Sequence, residues 1–210
     1  MLFFDTKYFT AGIIEFVKQL DAMVLTISFN LSLMPFGKPG IGYGLVITDH
    51  GFIFTLIIIP FRAFQLLTEE SQQRRFLELV LNQLSDEGVF IINTYRPYGI
   101  LDESWVQDET EDWVIEDPKT NSRVRRTHIR RSIDIKKQVT YPELIYYVEE
   151  SDGTVNKHIE KLAMKYYYED QLRELVETSG FTIKEEYGYY DYRPIQDGPE
   201  LIFVCNSKKS

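Results

Sequence analysis

Cysteine is nearly absent: Cys205 is the single one in 210 residues. One thiol excludes a disulfide scaffold and a cysteine-rich zinc site. Histidine is scarce too. His50, His128 and His158 fit no metal-site spacing, so structural or solvent-facing roles are expected for them. No apolar run is long enough to cross a bilayer; the longest, Phe52 to Phe61, is about half the length required. Met1 to Asp5 contains no basic residue, which argues against a signal peptide. Bases are outnumbered, 23 Lys and Arg against 32 Asp and Glu, for a net charge of −9. So acidic a chain is a poor nonspecific binder of nucleic acid. These absences together lead us to expect a cytoplasmic domain that engages neither membrane nor nucleic acid. What is plentiful is apolar: 44% hydrophobic residues, with 14 Tyr and 14 Phe. That suffices for one globular core, and residues 1–210 are read as a single domain.

Charge is spread unevenly. Residues 1–60 hold three lysines against four acids, a net of −1, which leaves −8 for the remainder. Ala11 to Met23 reads as a helix with Ile13, Phe16, Val17 and Leu20 on its apolar face. Leu25 to Leu33 alternates apolar and polar like a half-buried strand, and Pro35 to Gly44 is a loop. Leu56 to Pro60 is apolar on both faces, as in a covered central strand. Thr68 is placed to cap a helix with Phe76, Leu77, Val80, Leu81 and Leu84 on its buried stripe, and Gly88 to close it. Val89 to Ile92 is a second buried strand. Strand, helix and strand in so short a stretch form a βαβ unit, which predicts parallel pairing.

From Trp105 the texture changes. Trp105–Glu116, Arg123–Ile135, Val139–Glu149 and Thr154–Tyr166 read as strands of an antiparallel meander over residues 105–166. Asp152-Gly153 predicts a type I′ turn with positive φ at both residues. Helical spacing returns at Glu169–Ser179, with Leu172, Leu175 and Val176 on one face, and Phe181–Tyr190 and Leu201–Cys205 close the chain as strands.

Taken in order, these segments resemble the C-terminal two-thirds of a class I S-adenosylmethionine-dependent methyltransferase. Leu56-Ile-Ile-Ile-Pro-Phe-Arg-Ala-Phe-Gln-Leu-Leu-Thr68 is similar to the family's fourth strand and following loop. Leu84-Ser-Asp-Glu-Gly-Val-Phe-Ile-Ile-Asn93 is similar to its helix end, glycine turn and fifth strand. Ser179-Gly180-Phe181 and the two strands after it resemble the closing helix and antiparallel hairpin, as do Arg193-Pro194 and Pro199-Glu200-Leu-Ile-Phe-Val204. One bacterial branch acting on small molecules carries a hairpin-rich insert where residues 105–166 fall. The resemblance spans roughly 155 of 210 residues. It implies a Rossmann-like α/β fold with an antiparallel β insert, and S-adenosylmethionine as cofactor.

The first 55 residues depart from that pattern. Three βα units at roughly 25 residues each need about 75, so the N-terminal half is expected to be incomplete by at least one unit, through truncation or rearrangement. Gly40-Ile-Gly-Tyr-Gly44 alone has the spacing of a cofactor-cradling loop, and Gly40, Gly42 and Gly44 fit a plain flexible turn better. Asp49 follows too closely to be the ribose ligand. The expected consequence is weak cofactor binding.

Ligands of open α/β sheets bind beyond the carboxyl ends of the strands. Pro60, Phe61, Arg62, Phe64 and Gln65 are therefore placed beside the cofactor, as the resemblance implies, with a structural reading of the two phenylalanines and Arg62 kept open. Tyr95, Arg96, Trp105, Trp113, Tyr190 and Arg193 are assigned to the substrate side. Arg123, Arg125, Arg126, Arg130 and Arg131 form a basic run that reads as a solvated, cross-strand-paired face. Cys205, inside an apolar strand, reads as a core residue. No residue is assigned as a catalytic base. The reading is a methyltransferase of a small molecule; the rival is a non-catalytic protein that keeps the second half of the fold and assembles through an open sheet edge. Either version leads us to expect a homodimer.

Overall fold

A computed structural model describes residues 24–26, 53–117 and 122–208. Its first sheet begins at β1 (Val24–Thr26), β2 (Phe54–Ile59) and β3 (Leu84–Tyr95), with helix α1 (Glu70–Gln83) between the last two. β1 runs parallel to β2, with Val24 opposite Leu56, and β2 runs parallel to β3, with Ile59 opposite Ile92. The chain returns to this sheet after residue 168 through α2 (Glu169–Thr178), a strand at Phe181–Tyr187 and a last strand at Glu200–Ser207. The last strand pairs antiparallel with β3, and the Phe181 strand takes the edge beyond it.

Alternation along the strands sets the two faces. Ile57, Ile59, Phe90, Ile92 and Phe203 bury one face under Phe76, Leu77 and Val80 of α1 and Leu172 and Val176 of α2. Leu56, Ile58, Ile91 and Ile202 bury the other, against Tyr187 and Tyr190. Both faces of β2 and β3 are thus covered, which is why these strands read as continuous apolar runs.

The helix boundaries differ from the spacing-based expectation. Glu69, not Thr68, sits at the N-cap of α1, and its backbone N–H donates to Gln72 Oε1 at 3.3 Å. The helix ends at Gln83. Leu84 is already extended (ψ 132°) and pairs with Phe54, and the register slips before Val89. Gly88 is therefore no helix stop. A Cβ there would lie 2.7 Å from Leu84 Cγ, so glycine is what lets the Leu84 side chain fold back over the strand.

Residues 107–165 build the second sheet: β4 (Gln107–Asp117), β5 (Ser122–Asp134), β6 (Val139–Glu149), β7 (Val155–Lys161) and β8 (Met164–Lys165). The first four pair antiparallel in chain order, and β8 pairs with the start of β6. In chain order the two closing strands of the first sheet become β9 (Phe181–Tyr187) and β10 (Glu200–Ser207). Trp105 lies outside β4, in a short 3-10 turn at Glu103–Trp105 whose cap, Asp102, accepts from Ser104 N–H at 2.9 Å. The hairpin at residues 150–154 also departs from expectation. Gly153 has φ +84° while Asp152 keeps negative φ and accepts the Thr154 N–H at 2.8 Å. The Glu150 N–H reaches Thr154 O and the Gly153 N–H reaches Glu150 O, both at 2.9 Å, so the loop is longer than a two-residue type I′ turn. The two sheets are joined where Gln65 Nε2 donates to the Lys165 carbonyl at 2.5 Å.

The Ala11–Met23 helix, most of the Leu25–Leu33 strand, the glycines at 40, 42 and 44, and His50 lie outside the described residues. Among the described residues no helix is long and apolar enough to cross a membrane.

Candidate functional site

β2 leaves the sheet through Pro60, and the next two residues take left-handed backbone: Phe61 at φ +59° and Arg62 at φ +60°. Consecutive non-glycine residues in that region are strained and persist only where surroundings impose them. Asn93, at the end of β3, does so. Its Oδ1 accepts the Arg62 backbone N–H and the Tyr190 hydroxyl, each at 3.0 Å. Its Nδ2 donates to Glu200 Oε2 at 2.7 Å. Glu200, wholly buried at the start of β10, also receives the Arg62 guanidinium through Nε at 3.2 Å and through Nη2. A carboxylate so saturated with donors orients its neighbours.

Tyr95 follows on β3. The Arg62 guanidinium lies 5.1 Å from its ring centre, and burial raises its phenol pKa while Arg62 and Arg130 oppose the shift. Burial, reinforced by Glu200, pushes the Tyr190 phenol well above its usual range, so it serves as a neutral donor to Asn93. A narrow cavity of ≈ 40 Å³ opens beside this network between Ile58, Pro60, Asn93, Tyr190, Tyr192 and Ile202. Small-molecule sites occupy about 300 Å³ or more, so this cavity by itself does not enclose a ligand of that size.

The residues singled out from the sequence fall into three groups. Pro60, Arg62, Tyr95 and Tyr190 converge on the strand ends. Phe64 instead faces the core, fully buried, with ring centres 5.8 Å from those of Phe76 and Tyr167. Gln65 uses both ends of its amide structurally, accepting the Tyr95 N–H at 2.8 Å and donating to Lys165 O. Arg96 ties the loop before β10, donating to Gln196 O at 3.0 Å. Arg193 is exposed and forms a two-pronged pair with Asp191. Trp105 is buried with the Arg130 guanidinium 5.7 Å from its ring, whereas Trp113 sits on β4 beside Tyr146 and Arg126.

Three participants escaped the sequence reading. Glu200 had one signal, an acid standing directly before the apolar run Leu201–Cys205. Asp112 and His128 had none, because β4 and β5 bring them together. Asp112 Oδ1 lies 2.7 Å from His128 Nδ1, and Oδ2 accepts from Arg126 Nε at 3.0 Å, all three buried. Four of the five arginines of the basic run are paired with acids, and the run is not wholly solvated. Arg123, Arg125 and Arg131 meet Glu116, Glu111 and Glu143, while Arg126 is only 8% exposed.

No protein-family model and no curated protein sequence matches the chain. Solved structures do. A methyltransferase dependent on S-adenosylmethionine from Clostridium acetobutylicum superposes with a TM-score of 0.62 at 12% identity, over 77% of this chain and 61% of its own. The sugar N-methyltransferase KedS8 from Streptoalloteichus gives 0.59 at 15%, over 78% and 60%. CalS10, an amino pentose methyltransferase from Micromonospora echinaspora, gives 0.57 at 15%, over 77% and 61%. This chain thus spans about three-fifths of the length of those proteins. The shared architecture, a parallel β2–β3 pair closed by the antiparallel β9 and β10, is the class I S-adenosylmethionine-dependent methyltransferase fold, and this chain has it.

Proposed function

We propose that the chain transfers a methyl group from S-adenosylmethionine to a small molecule. The observation that carries this reading is the convergence of Arg62, Asn93, Tyr190 and Glu200 at the carboxyl ends of β2 and β3. That is where an open α/β sheet binds its ligands. A network spanning Arg62 to Glu200 holds the backbone of residues 60–62 in one strained shape, and such preorganisation is what positional catalysis requires. In this reading Pro60, Phe61 and Arg62 border the cofactor, with Gly40, Gly42 and Gly44 its second contact. Tyr95, Tyr190 and Trp105 border the acceptor. Residues 105–166 are an insert of the same domain and cover the acceptor side. We also propose a homodimer, supported by Val155 at 57% and Ile159 at 43% exposure on β7, the open edge of the second sheet.

Calorimetric titration with S-adenosylhomocysteine tests the reading. A saturable one-to-one heat is expected, weak because the cavity at the strand ends does not by itself enclose the ligand. No saturable heat at millimolar ligand would overturn it.

A further inference from the structure

Among the arginines of β5, Arg130 stands apart. Arg123, Arg125, Arg126 and Arg131 each have an acid within 4.0 Å. Arg130 is opposite Gln107 on β4 and Pro142 on β6, so neither residue directly across from it is an acid. Among the described residues its side chain forms no ion pair, and its Nε is buried without a hydrogen-bond partner. In a chain with 32 acids to 23 bases, an unpaired half-buried guanidinium is conspicuous. Asp112, whose charge acts on it, already accepts from Arg126 and lies against His128.

The surroundings suit a ligand. Arg130 is held 5.7 Å from the centre of the buried Trp105 ring, a cation–π contact. Tyr95, whose ring lies 5.1 Å from the Arg62 guanidinium, also interacts with Arg130 electrostatically. Desolvation lowers the pKa of Arg130, while Tyr95 and Asp112 oppose the shift.

We propose that Arg130, laid over Trp105, binds an oxyanion, carboxylate or phosphate, carried by the small-molecule acceptor. The inference rests on the methyltransferase reading for the word acceptor and on geometry for the anion. A planar fork on an aromatic face presents two parallel N–H donors, the pattern that both oxyanions match.

The test uses the full chain, in which Trp105 and Trp113 are the two tryptophans; a Trp113→Phe variant leaves Trp105 as sole reporter. Its emission is followed while sodium phosphate, or in a second arm sodium acetate, replaces chloride at constant ionic strength. A saturable change with either anion is expected, phosphate alone indicating a phosphorylated acceptor and acetate alone a carboxylic one. Arg130→Gln should weaken the response by about tenfold or more, and Arg130→Lys by less. A flat response to both anions, or an Arg130→Gln titration equal to its parent, would overturn the proposal. Should Trp113→Phe fail to fold, the same titrations on the two-tryptophan chain give the same comparison. The S-adenosylhomocysteine titration reports on the methyltransferase reading separately, so either idea can fail alone.

Discussion

Arg62 and Glu200 are 138 positions apart in the chain and meet as a buried ion pair at the carboxyl end of the first sheet. The pair links the loop after β2 to the first residue of β10, and Asn93 ties both to β3. Three strands therefore end in one network, and the strained Phe61-Arg62 backbone is held by it.

Removing one partner strands the other. Glu200→Ala leaves the Arg62 guanidinium buried without its carboxylate, and a loss of about 3–5 kcal/mol is expected by urea denaturation. Replacing both with leucine or methionine should recover most of it. A double replacement as unstable as the single one would show that the pair does more than cancel its own charge.

The βαβ unit and closing hairpin were legible because burial there produces uninterrupted apolar runs such as Leu56–Ile59 and Leu201–Phe203. Helix limits were less so: Leu84 fits the α1 stripe by spacing, yet strand pairing with Phe54 wins it. Site geometry was the least legible. Asp112 meets His128 only through the register of β4 on β5, and no local pattern announces such a register. Phe64 and Gln65 illustrate the converse, since a position beside a ligand-binding loop does not reveal which way a side chain turns.

Gly153 separates backbone strain from crowding. Its φ is +84°, and nothing lies within 4 Å of where a Cβ would stand. Gly153→Val should destabilise by about 1 kcal/mol or more through strain alone. Gly153→Asn should cost less, since asparagine tolerates this region. Equal thermal midpoints for wild type and the valine variant would remove the turn from this position.

Stability should fall in alkali. Burial raises the Cys205 thiol from 9.0 to about 12, and the Glu185 carboxylate, by accepting the Tyr187 hydroxyl, raises that phenol from 10.0 to about 12. Below pH 9 folded and unfolded chains hold these protons alike, so the groups impose no slope. Between about pH 9 and 12 the folded chain retains protons that the unfolded chain releases, so stability declines as pH rises through that window and then levels off. Urea midpoints measured from pH 7 to 11 should be flat and then fall. Cys205→Ala should make the fall shallower, and an identical slope would assign the effect to the tyrosines.

Asp112 joins Arg126 and His128 in a buried cluster, and the last prediction concerns its loss. Its carboxylate accepts from Arg126 and lies against His128, both buried, while Arg130 stands nearby without a partner of its own. Asp112→Ala should therefore destabilise by about 3–5 kcal/mol, because buried charge is left uncompensated. It should also create a stronger appetite for anions than the wild type has, since Arg126 then loses the Asp112 carboxylate to which it donates. Phosphate at constant ionic strength should raise the melting temperature of Asp112→Ala more than that of the wild type. If phosphate stabilises both chains equally, the cluster is not electrostatically coupled, and Asp112 serves packing and hydrogen bonding rather than charge balance.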